Sequence, residues 1–166
     1  MDILKLATEW AKSEVFSTRF FILFGLLFII ASIGFWQLGK TDLARSYIIP
    51  TLVAGIMLLT IGIGLFYTNK SRITQFEKAY NENTTAFIQS ELDRTEKTLK
   101  EYDTIVFKAI PLIIIAAALI LLFINSTMWR SISITTIAML IVILLIDGTA
   151  HSRIENYHQQ LLVSTI

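Results

Sequence analysis

Two acidic residues and both histidines of the chain recur at short intervals near its C-terminal end. Asp147, His151, Glu155 and His158 follow one another at steps of four, four and three residues. On an α-helix, these steps place all four side chains within an arc of about 80°. Carboxylate and imidazole groups are common ligands of divalent metal ions, and Glu155 with His158 has the Glu-x-x-His spacing of di-iron helix bundles. The four residues are therefore candidate metal ligands.

A metal site is nevertheless not the main prediction for this segment. Di-iron bundles use two Glu-x-x-His motifs, whereas this chain has only two histidines in total. A complete site would need a second subunit or acids from elsewhere in the chain, such as Glu77 or Glu82. A solvated helix end explains the same four residues. We therefore predict no cofactor and keep metal binding as an alternative.

Asp147 is also the one ionisable residue that lies deep in an apolar run. If that run begins near Ile132, a crossing of about 20 residues places Asp147 roughly one turn inside the membrane boundary, where an unpaired charge is costly. Lys108 and Lys70 are basic residues expected at the same depth. Our main interpretation is a structural ion pair between Asp147 and Lys108, which fixes how the helices leave the membrane.

The elements that carry these residues are apolar enough to span a membrane. The chain is 54% hydrophobic and 16% charged, with a mean hydropathy of +0.64, and four apolar runs each approach the ~20 residues that cross a ~30 Å hydrocarbon layer. We predict an all-α integral membrane protein with one membrane domain, its four transmembrane helices arranged as two hairpins. The predicted spans are residues 20–38, 47–67, 105–124 and 132–150.

Small residues recur at intervals of seven within the predicted spans. Helices in lipid pack where small side chains let their backbones approach, so we expect these positions to face neighbouring helices. The positions are Gly25, Ser32 and Gly39, Gly55 and Gly62, Ala109 and Ala116, and Ser131 and Ala138.

Basic residues divide unevenly between the two sides of the predicted membrane. Eleven lysines and arginines fall on the side of the two termini and the long central loop, and three fall on the other side. The side richer in basic residues is the cytoplasmic one by the positive-inside rule. We therefore predict a multi-pass protein of a bacterial inner membrane with both termini in the cytoplasm and the lipid bilayer as a partner.

Residues 1–19 have the pattern of an amphipathic helix. Ile3, Leu6, Ala7 and Trp10 fall on one side of such a helix, and charged residues fall elsewhere. Our main interpretation is an interfacial helix that lies on the membrane surface with Trp10 at the headgroup boundary. The alternative is that the same apolar side docks on the central loop.

Residues 68–104 are predicted to form a cytoplasmic helical loop with a break at residues 81–83. The helix after the break shows an apolar seam with alternating spacings of four and three, as in a coiled coil: Ile88, Leu92, Thr95, Leu99, Tyr102 and Val106. The partner of this seam is the helix before the break, the tail of residues 151–166, or the same helix in another subunit. The residues that we expect to make interactions are Leu92, Leu99, Tyr102 and Trp10.

A short sequence is repeated after the second and fourth spans. Ser71-Arg72-Ile73 follows the second span, and Ser152-Arg153-Ile154 follows the fourth. A duplication of the hairpin explains this repeat, and so does the general need of an emerging helix for a basic residue followed by an apolar one. Both explanations stay open.

The sequence lacks the motifs of the common enzyme classes. It has no cysteine, no Gly-rich phosphate loop, no His-Glu-x-x-His helix and no nucleophile elbow. We therefore predict that the protein is not an enzyme. A net charge of +1, with acids interleaved among the bases, gives no attraction to nucleic acid.

The main functional prediction is a self-associating scaffold or a subunit of a larger membrane complex, either as a homo-oligomer or with other membrane proteins. The alternative is a small oligomeric ion channel or carrier, in which Thr and Ser hydroxyls line a pore and Asp147 lies at its cytoplasmic mouth. The near absence of ionisable residues at depth argues against a proton-coupled transporter.

Overall fold

A computed structural model describes residues 2–164, and within this range the chain is helical without any strand. The ends of the predicted terminal segments, residue 1 and residues 165–166, lie outside the described residues. The helices are α1 (Ile3–Leu38), α2 (Asp42–Ser46), α3 (Ile48–Glu82), α4 (Thr84–Glu101), a π-helical segment (Tyr102–Ala109), α5 (Ile110–Phe123) and α6 (Thr127–Ser164).

Four stretches of helix are long and apolar enough to cross a membrane, which confirms the predicted number of spans. They are Ile3–Leu38, Asp42–Glu82, Thr84–Phe123 and Thr127–Ser164. The shortest has 36 residues, which at 1.5 Å per residue is about 54 Å, well beyond the ~30 Å of a hydrocarbon layer. Each of these helices is therefore long enough to continue well beyond a membrane that it crosses.

The closest helix contact joins α1 and α3, which run in opposite directions. A Cβ atom on Gly55 would lie 2.9 Å from the carbonyl oxygen of Gly25, and one on Gly62 would lie 3.0 Å from the backbone nitrogen of Ile22. The Ser32 hydroxyl donates a hydrogen bond to the carbonyl oxygen of Ile48 at 2.7 Å. Small residues are thus required here, as the seven-residue pattern predicted for the first two spans.

The same pattern was wrong for part of the last two spans. Ala116 and Ala138 are exposed, whereas Ala117 and Met139, one residue further along, are buried. Because neighbouring residues are about 100° apart around an α-helix, the helices pack here through a face well rotated from the predicted one.

The buried residues form two separate clusters. The membrane core is the cluster within the apolar spans, and the bundle core is the cluster formed by their extensions. The membrane core consists of Phe21, Ala54, Leu58, Ile110, Met139, Leu140 and Ile146. The bundle core consists of Ile3, Ala7, Trp10, Ala11, Phe76, Phe87, Ile154, Tyr157 and Leu161.

The position of the N-terminal segment corrects the prediction of an interfacial helix. Its residues continue without a break into the first span as α1, and Ile3, Ala7 and Trp10 are buried in the bundle core. Their apolar side is covered by protein, so it is not free to enter a lipid surface. The alternative, docking on the segment between spans two and three, agrees with the contacts to Phe76 and Phe87.

The central loop is also helical throughout and folds back on the same bundle. Asn83 ends α3 and begins α4, where its side-chain oxygen accepts a hydrogen bond from the backbone N–H of Ala86 at 3.0 Å. Along the predicted seam, Thr95 and Val106 are buried, and the other seam residues pack against the bundle core. Helix α4 contacts α3 and α6, so the seam finds its partners within one chain.

A π-helical segment joins α4 to α5 at the start of the third apolar run. Here the backbone N–H of Ile110 donates to the carbonyl oxygen of Ile105, five residues earlier. Pro111, which has no N–H to donate, follows directly. The wider turns of this segment change which residues of the helix face the rest of the protein, and such segments often occur at functional sites.

Candidate functional site

A polar cavity of about 240 Å³ lies between the membrane core and the bundle core, and we call it the boundary cavity. All the long helices contribute to its wall, because each passes this level on its way out of the span. Apolar side chains of Phe21, Leu65 and Ile146 form part of the lining. Its polar lining residues are Glu14, Ser17, Thr18, Asn69, Arg72, Arg94, Thr98, Glu101, Tyr102 and Asp147.

One ion pair joins α1 to α6 at this level. The Nε atom of Arg153 lies 3.0 Å from Oε1 of Glu14, and its NH2 group donates to the Ser17 hydroxyl at 2.7 Å. Burial raises the pKa of Glu14 above its usual value, and this effect outweighs the opposite effect of Arg153. The pair therefore links the two helices at the cost of removing a carboxylate from water.

A second ion pair holds an aromatic stack. Arg94 makes two hydrogen bonds to the Glu91 carboxylate, at 2.8 and 2.6 Å, and its guanidinium carbon lies 4.4 Å from the ring centre of Trp10. The Trp10 ring is stacked on Tyr157 with the ring centres 5.3 Å apart. The Tyr157 hydroxyl donates to Glu91, and burial raises the pKa of this tyrosine. Trp10 is therefore fixed between a cation and a second aromatic ring.

Arg72 differs from these two arginines because no carboxylate lies within 4 Å of it in the described residues. Its one hydrogen bond to a side chain goes to Oδ1 of Asn69, at 2.8 Å. Burial lowers its pKa, and the neighbouring charge of Arg94 lowers it further. Arg72 therefore lines the boundary cavity without a carboxylate in direct contact, and the more distant carboxylates of Glu91 and Glu14 partly offset the fall in its pKa.

Asp147 lies in the same cavity, and the predicted ion pair with Lys108 is not formed. No hydrogen bond or ion pair joins Asp147 to another side chain among residues 2–164. Lys108 is exposed and belongs to the π-helical segment, in which Val106 is the residue that faces inward. The wider helical turns place the lysine side chain outside the cavity wall.

The four candidate metal ligands do not converge. Within the described part of the chain, no group of three or more His, Asp and Glu residues lies close enough together to hold a metal ion. His151 contacts the rings of Tyr102 and Phe107, His158 Nδ1 lies 2.6 Å from the Thr95 hydroxyl, and Glu155 is exposed. These contacts explain the two histidines as packing residues of the bundle, so the metal alternative has no support from the geometry.

The predicted interaction residues contact their own chain. Trp10 is 7% exposed, and Leu92, Leu99 and Tyr102 are half-buried against the bundle core. Sequence reasoning missed the ion pairs of the boundary cavity. One signal for the arginines at this level was present, because the repeated Ser-Arg-Ile triplet contains Arg153, which pairs with Glu14, and Arg72, which lines the cavity.

Trp10 also carries a polar atom without a partner. Its Nε1 atom is buried and has no hydrogen-bond acceptor among the described residues. A buried donor without an acceptor is costly, and such groups often mark the place of a water molecule or a ligand. Trp10 lines both the boundary cavity and a smaller pocket beside Arg153 and Tyr157.

The comparisons with known proteins assign no family to this chain. No family model matches it, and neither the curated proteins nor the solved structures contain a match. The function must therefore be argued from the geometry.

A second concave feature lies in the opposite half of the spans, between α3 and α6. We call it the intramembrane groove; it encloses about 530 Å³. Val53, Met57, Met128 and Met139 contribute to its mainly apolar lining, together with the hydroxyls of three threonines. Arg45 lies at one end of the groove.

Proposed function

We propose that the protein is a non-enzymatic, multi-pass membrane protein that works as a subunit of a larger membrane complex and presents its helical bundle to partners in the cytoplasm. The observation that carries this proposal is the continuity of the spanning helices into the bundle core. Such a bundle has a fixed orientation relative to the membrane. A component that positions other proteins needs this property.

The sidedness of the proposed arrangement rests on charge. Residues near both ends of the described chain, Ile3 and Leu161, belong to the bundle core, as expected when an even number of spans returns the chain to its starting side. The bundle also carries most of the basic residues, which favours a cytoplasmic position by the positive-inside rule. We propose two membrane hairpins in the inner membrane of a bacterium.

The intramembrane groove supports assembly with another subunit. Helices associate in lipid through close packing and through hydrogen bonds between hydroxyl groups and the neighbouring helix, and the groove offers both an apolar floor and threonine hydroxyls. Methionine side chains such as Met57 and Met128 adapt to the shape of an incoming surface. We propose that a transmembrane helix of a second copy of this chain occupies the groove.

The competing hypothesis is an oligomeric channel or carrier. The membrane core fills the space between the helices with Phe21, Leu58 and Leu140, so a conducting path would have to form between chains. The channel hypothesis also requires Asp147 to face the mouth of the conducting path, although this residue lines a cavity within one chain. A conductance in liposomes that changes with Asp147→Asn would favour the channel over the subunit.

Native mass spectrometry of the full chain in lipid nanodiscs tests the proposed assembly. We expect a defined oligomer of the natural chain and its loss in Val53→Trp, because the larger side chain fills the groove. Ile30→Trp is the matched control, since Ile30 is 63% exposed on α1 and does not line the groove. A natural chain that stays monomeric, or an oligomer that Val53→Trp leaves intact, would contradict self-association through the groove.

A further inference from the structure

We propose that the boundary cavity binds a small zwitterion that carries a phosphate group and a primary ammonium group in one molecule. The phosphate binds at Arg72, and the ammonium binds at Asp147.

The first argument is the balance of charges around the cavity. Three arginines lie at this level, and two of them have carboxylate partners: Arg153 is paired with Glu14, and Arg94 is paired with Glu91. One guanidinium, that of Arg72, and one carboxyl group, that of Asp147, line the cavity without an ion pair in residues 2–164. Both groups are partly buried. Partly desolvated charges are stabilised by a partner of opposite charge, and a zwitterion supplies one partner for each group.

The second argument concerns the anionic group. The guanidinium carbon of Arg72 lies 5.8 Å from the centre of the Trp10 ring, and no carboxylate lies within 4 Å of Arg72 among the described residues. Arg72 is therefore the cation on the cavity wall that an anion would meet without displacing a carboxylate. A phosphate has several strong acceptor oxygens, and the planar guanidinium group of arginine matches its geometry in a bidentate contact.

The third argument concerns the cationic group. A quaternary ammonium is usually bound over a free aromatic face, but the ring of Trp10 is already packed against Tyr157 and Arg94. A primary ammonium instead donates hydrogen bonds, which the carboxylate of Asp147 can accept. The Tyr102 hydroxyl also lines the cavity, and no hydrogen bond joins it to another residue in the described range. The acceptors present therefore fit N–H donors better than a methylated amine.

The position and size of the cavity limit which molecules can be its ligand. The cavity lies where the helices leave the membrane core and enter the bundle core, the level at which lipid headgroups are found. Its volume of about 240 Å³ suits a headgroup or a small soluble molecule. Phosphoethanolamine has the required chemistry, either as the headgroup of phosphatidylethanolamine or as the free molecule. The alternative to a bound zwitterion is that ordered water alone fills the cavity, because a polar cavity of this size holds several water molecules.

Two binding experiments on the full chain distinguish these sources. Calorimetry in detergent measures free O-phosphoethanolamine against inorganic phosphate, ethanolamine and phosphocholine. Native mass spectrometry from nanodiscs of mixed phosphatidylethanolamine and phosphatidylcholine measures which lipid stays bound. We expect selective binding of the ethanolamine form in at least one of the two experiments, with an affinity at least about tenfold above that of each comparison compound. Binding only from the nanodisc identifies the lipid as the source, and binding in detergent identifies the free molecule.

Substitutions in the cavity test the assigned roles. Arg72→Gln and Asp147→Asn should each lower the affinity about tenfold to a hundredfold, because each removes a charge-assisted hydrogen bond, and Arg72→Lys should lower it less. Lys70→Gln and Asp103→Asn are matched controls, since both residues are exposed and lie outside the cavity wall. Both controls should bind as the natural chain does.

Three results would overturn the proposal. No selective binding in either experiment would leave water as the content of the cavity. Equal binding of inorganic phosphate or phosphocholine would show that the ammonium is not recognised. Unchanged affinity in folded Arg72→Gln and Asp147→Asn, with folding verified by circular dichroism, would place any binding elsewhere on the protein.

Discussion

The Tyr157 hydroxyl donates a hydrogen bond of 2.9 Å to Oε2 of Glu91, which joins two helices whose residues are 66 positions apart in the chain. The acceptor is the same carboxylate that holds Arg94 over Trp10. One buried carboxylate thus connects α4, α6 and, through the arginine, α1.

Tyr157→Phe should therefore lower the free energy of unfolding by about 1–3 kcal/mol, because it removes a hydrogen bond to a charged group and leaves the carboxylate of Glu91 less well satisfied. Denaturant unfolding in detergent, followed by circular dichroism, measures this change. Tyr67→Phe is the control, since Tyr67 is 68% exposed and should change the stability little. Equal effects of the two substitutions would show that the hydrogen bond has no net stabilising role.

The contact between α1 and α3 predicts opposite effects for two glycines of the same helix. Gly55→Ala places a Cβ atom 2.9 Å from the backbone of Gly25, whereas Gly64→Ala meets no atom within 4 Å. The first change should destabilise the protein by about 1–3 kcal/mol through overpacking, and the second should be neutral or stabilising by a few tenths, since alanine is the better helix former. Melting temperatures of both variants in the same detergent measure these changes in stability. A Gly55→Ala protein as stable as Gly64→Ala would mean that the two helices separate readily.

The seam on α4 predicts a local loss of structure rather than a loss of assembly. Leu99 packs against the bundle core of its own chain, so Leu99→Asp buries a charge beside apolar residues and should open the extramembrane half. Limited proteolysis should then cleave α4 at least about tenfold faster, while the membrane core stays protected.

Lys97→Asp provides the control for the seam, because Lys97 lies on the exposed side of the same helix. It should leave the rate of cleavage nearly unchanged. If Leu99→Asp instead abolished oligomers without faster cleavage, the seam would be a contact between chains.

Glu14 predicts a dependence of stability on pH. Burial raises the pKa of Glu14 in the folded protein above its usual value of 4.5, so the folded state binds this proton more tightly than the unfolded state does. By linkage, the contribution of Glu14 to stability increases as the pH falls through the raised pKa and becomes constant below 4.5.

Glu14→Gln removes this titration. The unfolding free energy of the natural chain minus that of Glu14→Gln should therefore increase as the pH is lowered from 8 towards 4.5. Glu9→Gln is a suitable control, because Glu9 is on the same helix and its side chain is 62% exposed. A difference that decreases on acidification would mean that Arg153 lowers the pKa of Glu14 more than burial raises it.

Much of the fold follows from local patterns in the sequence. The four apolar stretches, the break at Asn83 and the seam on α4 are properties of neighbouring residues along one helix. The error about residues 1–19 has a physical cause, because an apolar helix face is equally well covered by lipid or by other helices. The face of α1 that was assigned to the membrane surface is covered by Phe76, Phe87 and Leu161.

The boundary cavity was much harder to predict than the helices. Glu14, Arg72, Arg94 and Asp147 lie on four different helices, and their approach depends on how the helices are rotated about their axes. The π-helical segment changes that rotation in the third span, so that Lys108 points away and Asp147 loses its expected partner. Patterns within a single helix contain no information about such a rotation.

The joint membership of Ile3 and Leu161 in the bundle core has a consequence for biosynthesis. Ile3 precedes Leu161 by 158 residues, so the apolar side of the first turns of α1 stays uncovered until the end of α6 has been made. Membrane insertion of the spans can proceed in order, but closure of the bundle is delayed until α6 has been translated. During that interval the N-terminal helix is the exposed segment that a chaperone or the bilayer itself would shield.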